Sequence, residues 1–245
     1  MTSRYQTLNG FMPTTLSETD WNSWQKSRNP SRPWQSRTAA GGGLSSPIVP
    51  TMPVTRKTRA TYGILVAAAR EWVRRTGTLS PESVAEVAGF SPATLYSYFG
   101  SKDSLLAASF DAALADIAEA VEPILGMERL LEEGWESTAR LLVRAVVRGF
   151  SHDGRLVRLA LTRLGESEEV LAVYRRRNEE EIEVFTRFIR LGASAGQLRD
   201  GDPSVLARTA VLMLQALQNP LALGPGSGPV IEEVSRAMYR LLAPG

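Results

Sequence analysis

The stretch GFSPATLYSYFGSKDSLL, from Gly89 to Leu106, places Tyr96, Tyr98 and Phe99 within four positions and has no Arg, Lys, Asn or Gln before Lys102. Aromatics meant for a core recur every three or four residues along a helix. Two tyrosines on alternate positions send at least one outward. A phenol on a rigid arm suits a phosphate oxygen, and it equally suits partial burial with a wet hydroxyl. The residues alone leave both readings open. Lys102 falls in the first turn of the next expected helix, where free backbone N–H groups also favour an anion. The missing Arg, Asn and Gln are the side chains that make paired hydrogen bonds to guanine and adenine edges. Base reading by this stretch would fall to the methyls of Ala93 and Thr94 and the hydroxyls of Thr94 and Ser97.

The elements that hold this stretch are marked by caps. Ser80-Pro81 and Ser91-Pro92 each pair an N-cap with a proline at the first helical position, and Glu82 suits the positive end of the first of these helices. Gly89 stops that helix, and Gly100 stops the next after Phe99. Two short helices joined across so little chain must meet steeply, as in a helix-turn-helix. An ordinary three-helix packing corner would leave the same marks. Ala85 and Ala88 are small where the helices approach, and Val84, Val87, Leu95 and Phe99 supply apolar contact. Ahead of them Ile64, Leu65, Ala68, Trp72 and Val73 recur at helical spacing, which predicts a helix from about Lys57 to Arg75.

The rest of the 245 residues bounds the setting. Residues 1–54 are rich in Ser, Thr, Pro, Gly and Asn without period and read as a disordered extension. Its Trp21, Trp24 and Trp34 read as a partner-binding motif, as part of a solvated tail, or as upstream of a start at Met52. Residues 1–55 carry five basic and two acidic side chains, 56–110 seven and four, and 111–245 sixteen and twenty. A basic front and an acidic back suggest a polyanion met at one end only. There is no cysteine, so disulfides, thiol catalysis and cysteine-ligated metals are excluded. His152 is the single histidine, in a SHDG segment that reads as a corner between helices. No phosphate loop or nucleophile–base pair is visible, so no enzyme, cofactor or metal site is expected. No apolar run reaches the roughly 18–20 residues of a membrane span, and no secretory signal is visible, so the expected location is the cytoplasm. After Asp103 the pattern is helical throughout, with stretches near 103–122, 134–150, 154–164, 168–195, 203–218 and 229–242. The run YRRRNEEEIE at Tyr174–Glu183 pairs opposite charges at helical spacing and reads as a solvated face. PSVLARTAVLMLQALQN is apolar on more than one face and must be covered on several sides.

Taken together, ILVAAAREWVRRTG and SVAEVAGFSPATLYSYFGSKDSLL resemble the DNA-binding domain of the tetracycline-repressor (TetR) family of transcriptional regulators. The likeness rests on Ala88-Gly89, Ser91, Thr94-Leu95-Tyr96, Tyr98-Phe99, Ser101-Lys102-Asp103 and Leu105-Leu106. The chain departs from the family in a shorter segment after Gly77, in Thr78 where an aromatic is common, and in Val73 where phenylalanine is frequent. The resemblance implies an all-α fold: a three-helix DNA-binding domain over residues 55–101, then a helical ligand-binding and dimerisation domain over 102–245. It implies that Pro92, Ala93, Thr94, Tyr96, Ser97 and Tyr98 face double-stranded DNA, that Lys102 meets phosphate, and that Leu95 and Phe99 point inward. Arg56, Lys57 and Arg59, read as an arm before the first helix, would add contacts to the backbone or minor groove. The last two helices would join two protomers, so the operator would be an inverted repeat. The middle helices would hold a small-molecule effector, with Trp135, Phe150, Tyr174, Phe185 and Phe188 as candidate lining. Ordinary core packing explains those aromatics equally well. The function implied is a repressor released from DNA by its ligand. The alternative is a regulator controlled by a protein partner.

Overall fold

The computed structural model describes residues 56–244, with side chains from Thr58 onward. The extension with its tryptophans and Met52 lies outside the described residues. Among the described residues every regular element is helical. In chain order they are α1 (Arg56–Thr76), α2 (Pro81–Val87), α3 (Pro92–Phe99), α4 (Lys102–Val121) and a 3-10 turn (Glu122–Leu125). There follow α5 (Met127–Thr162), α6 (Glu168–Ser194), α7 (Pro203–Gln215), a second 3-10 turn (Ala216–Gln218), α8 (Pro220–Leu223) and α9 (Gly228–Leu242).

The caps read from sequence form. The hydroxyl oxygens of Ser80, Ser91 and Ser101 accept from the backbone N–H of Ser83, Thr94 and Ser104, at 3.3, 3.1 and 2.9 Å. Each satisfies an orphan donor of a first helical turn. The bend between α2 and α3 is made by Gly89 at φ 74, with the Phe90 N–H reaching back to the Ala85 carbonyl at 2.9 Å. That left-handed backbone is open to glycine at little cost. On α1 the buried face is Leu65, Val66, Ala69 and Val73. Ile64, expected on it, is exposed and Trp72 is half-buried, because the α1 stripe turns toward α4 and α5 around Leu65 and Ala69.

Three expectations need correction. Residues 134–150 and 154–164 are not two helices. α5 runs unbroken through Ser151, His152, Asp153 and Gly154, so His152 is an exposed helical residue and not a corner. Tertiary contacts lie against this stretch: Asp153 is buried against Arg70, and Gly154 leaves so little room that an added Cβ would stand 3.2 Å from Leu223 Cδ1. The one irregular point of α5 is Gly134, at φ 76 and ψ 169. Arg56, Lys57 and Arg59 do not precede the first helix but lie in its opening turns. Arg, Lys and Ala are good helix formers and carry the helix back through them. Finally, α7 ends at Gln215 rather than Gln218 and tightens into the 3-10 turn.

A buried ion cluster ties α1 to the later helices. The Arg70 guanidinium donates Nη2 to Asp116 Oδ2 on α4 at 2.8 Å and to Asp153 Oδ2 on α5 at 2.6 Å, and Nε to Asp153 Oδ1 at 3.2 Å. The Arg70 and Asp153 side chains are 14% and 5% exposed. Two carboxylates raise the Arg70 pKa further above its usual value against the opposing pull of desolvation. Arg155 Nη1 donates to the carbonyls of Arg74 and Arg75, both at 3.1 Å, and so caps the C-terminal end of α1 from α5.

Removing one partner of a buried pair strands the other. Arg70→Met is therefore expected to lower stability by about 3–5 kcal/mol. Arg236→Met, which breaks an exposed pair with Glu233, should change it by less than about 1 kcal/mol. Urea denaturation of both variants checks the contrast.

Candidate nucleic-acid interface

α3 is eight residues long, too short to persist alone in water. Burial holds it. Leu95 and Phe99, one turn apart, are in the core, and the Phe99 ring lies 4.9 Å from that of Tyr62 on α1. Burial, with a smaller push from Asp111, raises the Tyr62 phenol to about 12, so that hydroxyl stays neutral. With Leu95 and Phe99 inward, Pro92, Ala93, Tyr96 and Ser97 are exposed, and Thr94 and Tyr98 are half-buried. Lys102 stands exposed at the first residue of α4, while its neighbour Asp103 is paired with Arg163 at 3.0 Å. These seven side chains occupy one helix face and the adjoining helix start. Arg59 is half-buried on α1; the side chains of Arg56 and Lys57 lie outside the described residues.

The hydrogen bonding of this face is uneven. The Tyr96 hydroxyl donates to Glu82 Oε1 on α2 at 3.1 Å. Desolvation, then the hydrogen bond and charge of Glu82, raise the Tyr96 pKa above its usual value. Ser97 Oγ donates to the Thr94 carbonyl at 2.7 Å, and the hydroxyls of Thr94 and Ser91 are hydrogen-bonded at 2.9 Å, either being able to donate. The Tyr98 hydroxyl has no hydrogen-bond partner among the described residues. Glu82 was read from sequence only as a helix-end charge; its contact with Tyr96 spans fourteen residues, and no local spacing signals it.

The candidate effector-lining aromatics sit deeper. Trp135, Phe150, Phe185 and Phe188 are 5% exposed or less, and Tyr174 is half-buried. Trp135 and Phe188 touch, with ring centroids 5.9 Å apart, and Trp135 Nε1 donates to the Tyr239 carbonyl on α9 at 3.0 Å. The YRRRNEEEIE run is only partly a solvated face. Arg176 and Arg177 both reach Asp111 on α4, at 2.6 and 2.5 Å. Glu181, from the same run, is half-buried on α6. Burial raises its carboxyl to about 7, opposed by the Gln215 side chain of α7. Gln215 also donates to Asn178 Oδ1 at 2.7 Å.

Residues 64–109 match the family model of the bacterial regulatory proteins, tetR family. No curated protein matches the chain. Solved structures share its fold. A TetR transcription regulator from Haloarcula marismortui is 17% identical with a TM-score of 0.61, over 74% of this chain and 96% of that one. The reduced form of E. coli NemR is 16% identical at 0.61, over 75% and 97%. A TetR/AcrR-family regulator from Thermobifida fusca is 21% identical at 0.57, over 73% and 96%. The matched family is one of transcriptional regulators and not of enzymes.

A carboxyl whose folded-state pKa is raised holds its proton in the native state where the unfolded chain has released it. Glu181 therefore makes stability fall as pH rises from its ordinary value of 4.5 to about 7. Glu181→Gln keeps a polar partner for Gln215 without the charge, so its melting temperature should fall less than the parent's between pH 5 and 7. Parallel melting curves across that range would contradict the assignment.

Proposed function

From a chain that carries the helices of the tetR family at residues 64–109, we propose a DNA-binding transcriptional regulator that seats α3 in the major groove. The observation that carries this reading is the division of α3. Leu95 and Phe99 anchor it, Pro92, Ala93, Tyr96 and Ser97 are left outward, and Thr94 and Tyr98 stand half-buried at its flank. Tyr98, with an uncommitted hydroxyl, and Lys102, at a helix N-terminus, are placed to hold phosphates. Arg56, Lys57 and Arg59 add basic charge at the start of α1. In this reading residues 55–101 form the DNA-binding head and 102–245 the regulatory part. With no cation on α3 itself, affinity comes largely from phosphate contacts and falls with salt.

The protein acts as a twofold dimer through α7 and α9. Val205 and Leu212, two turns apart on α7, are 58% and 67% exposed, and Val230 on α9 is 45% exposed. Next to Val230 runs a shallow apolar depression lined by Pro229, Glu233, Val234 and Ala237. Two helices with exposed apolar residues among charged ones fit a four-helix junction with a second copy. The regulator is a repressor released by a small molecule. Trp135, Phe150, Phe185 and Phe188 are packed in the core, so a ligand reaching them and Tyr174 displaces core packing. The Arg70 cluster passes such a shift from α5 to α1 and so to the head.

Selection of randomised duplexes with the purified protein should enrich an inverted repeat, with half-sites about one helical turn apart. No enrichment over random DNA would reject the reading. Sedimentation equilibrium should give a dimer, and Leu212→Glu, which puts a charge on the apolar face without touching the core, should give a folded monomer that binds the repeat more weakly.

A further inference from the structure

The contact between Tyr96 and Glu82 changes what that tyrosine can say to DNA. A phenol has one proton to give and lone pairs to receive with. Here the proton goes to Glu82 Oε1, at 3.1 Å. Phosphate oxygens only accept, so a phosphate gains nothing from a phenol whose proton is committed, and the Glu82 charge repels it. In the major groove the groups that donate are the exocyclic amines, N6 of adenine and N4 of cytosine. Guanine offers only acceptors there, and thymine an acceptor and a methyl.

We propose that Glu82 is a specificity-determining residue: by holding the Tyr96 proton it makes Tyr96 Oη an acceptor that reads an exocyclic amino group of adenine or cytosine. The inference rests on α3 being the DNA-reading helix. Two further features of the face point the same way. Ser97 has also spent its proton inside the helix, on the Thr94 carbonyl, and no side chain from Pro92 to Phe99 carries an N–H donor. α3 thus presents oxygen lone pairs at Tyr96 and Ser97, a surface matched to donors rather than to guanine. Glu82 itself is exposed beside Tyr96 and, as a carboxylate, accepts from the same class of base group. Tyr98 has no such partner and keeps its proton for a phosphate, so the two tyrosines divide the work.

Duplex selection on the parent, Tyr96→Phe, Glu82→Ala, Glu82→Gln and the Tyr96→Phe/Glu82→Ala double variant tests this, with melting curves confirming that each is folded. The parent should favour adenine or cytosine over guanine and thymine about tenfold at one position per half-site. Tyr96→Phe should flatten that position and leave the others. Glu82→Ala frees the phenol for phosphate. It should flatten the same position and raise binding to random duplex. Glu82→Gln keeps an acceptor for the phenol and should retain the preference while binding all sequences more tightly. The double variant should match Tyr96→Phe in base preference. A Glu82→Ala profile identical to the parent's at every position overturns the proposal, as does a Tyr96→Phe variant that weakens all sequences equally. Either result leaves α3 as the DNA-reading helix. A parent that enriches no sequence overturns the proposal and the regulator reading together.

Discussion

An eight-residue helix has too few hydrogen bonds to exist on its own. The way α3 is nevertheless held decides which of its side chains face outward. Leu95 and Phe99 enter the core beneath it, Tyr62 packs against Phe99 with the rings tilted, and the caps at Ser91 and Gly100 fix its two ends. Helical periodicity then leaves no choice about the other side chains: with positions 95 and 99 inward, 92, 93, 96 and 97 are outward. The outward face is a by-product of apolar anchoring.

The same constraint connects the head to the rest of the molecule. α1, on which α3 leans through Tyr62, is held by charge as well as by burial. Arg70 reaches α4 and α5 at once, and Arg155 of α5 closes the end of α1. Moving α5 against α1 would strain a buried ion pair, and packed, paired elements resist continuous sliding. The Glu181 carboxyl adds a second tension. It lies on α6 with Gln215 of α7 acting on it, and burial holds its proton near neutral pH.

Much of the head was legible in the sequence because its signals are local. Two Ser-Pro pairs, Gly89 and Gly100 mark helix ends within a few residues of where they fall. The all-helical character of the later chain was legible from periodicity. What was not legible depends on contacts far apart in sequence. Ser151–Gly154 looked like a break, but it is helical, with Asp153 paired to Arg70, 83 residues away. Glu82 looked like a favourable charge at a helix start; that it takes the proton of Tyr96 depends on the angle at which α2 and α3 cross. Trp135 and Phe188 looked as much like lining as like core, and they pack on each other.

The central claim is that the outward face of α3 with the start of α4 is the surface that meets DNA. Titrating isotope-labelled protein with a short duplex at low salt, followed by amide NMR, tests it most directly. The account predicts that the signals of Ala93, Thr94, Tyr96, Ser97, Tyr98 and Lys102 move with the duplex while those of Leu206 to Leu214 on α7 stay. Shifts confined to α7 and α9, or a spectrum unchanged at excess duplex, would contradict it.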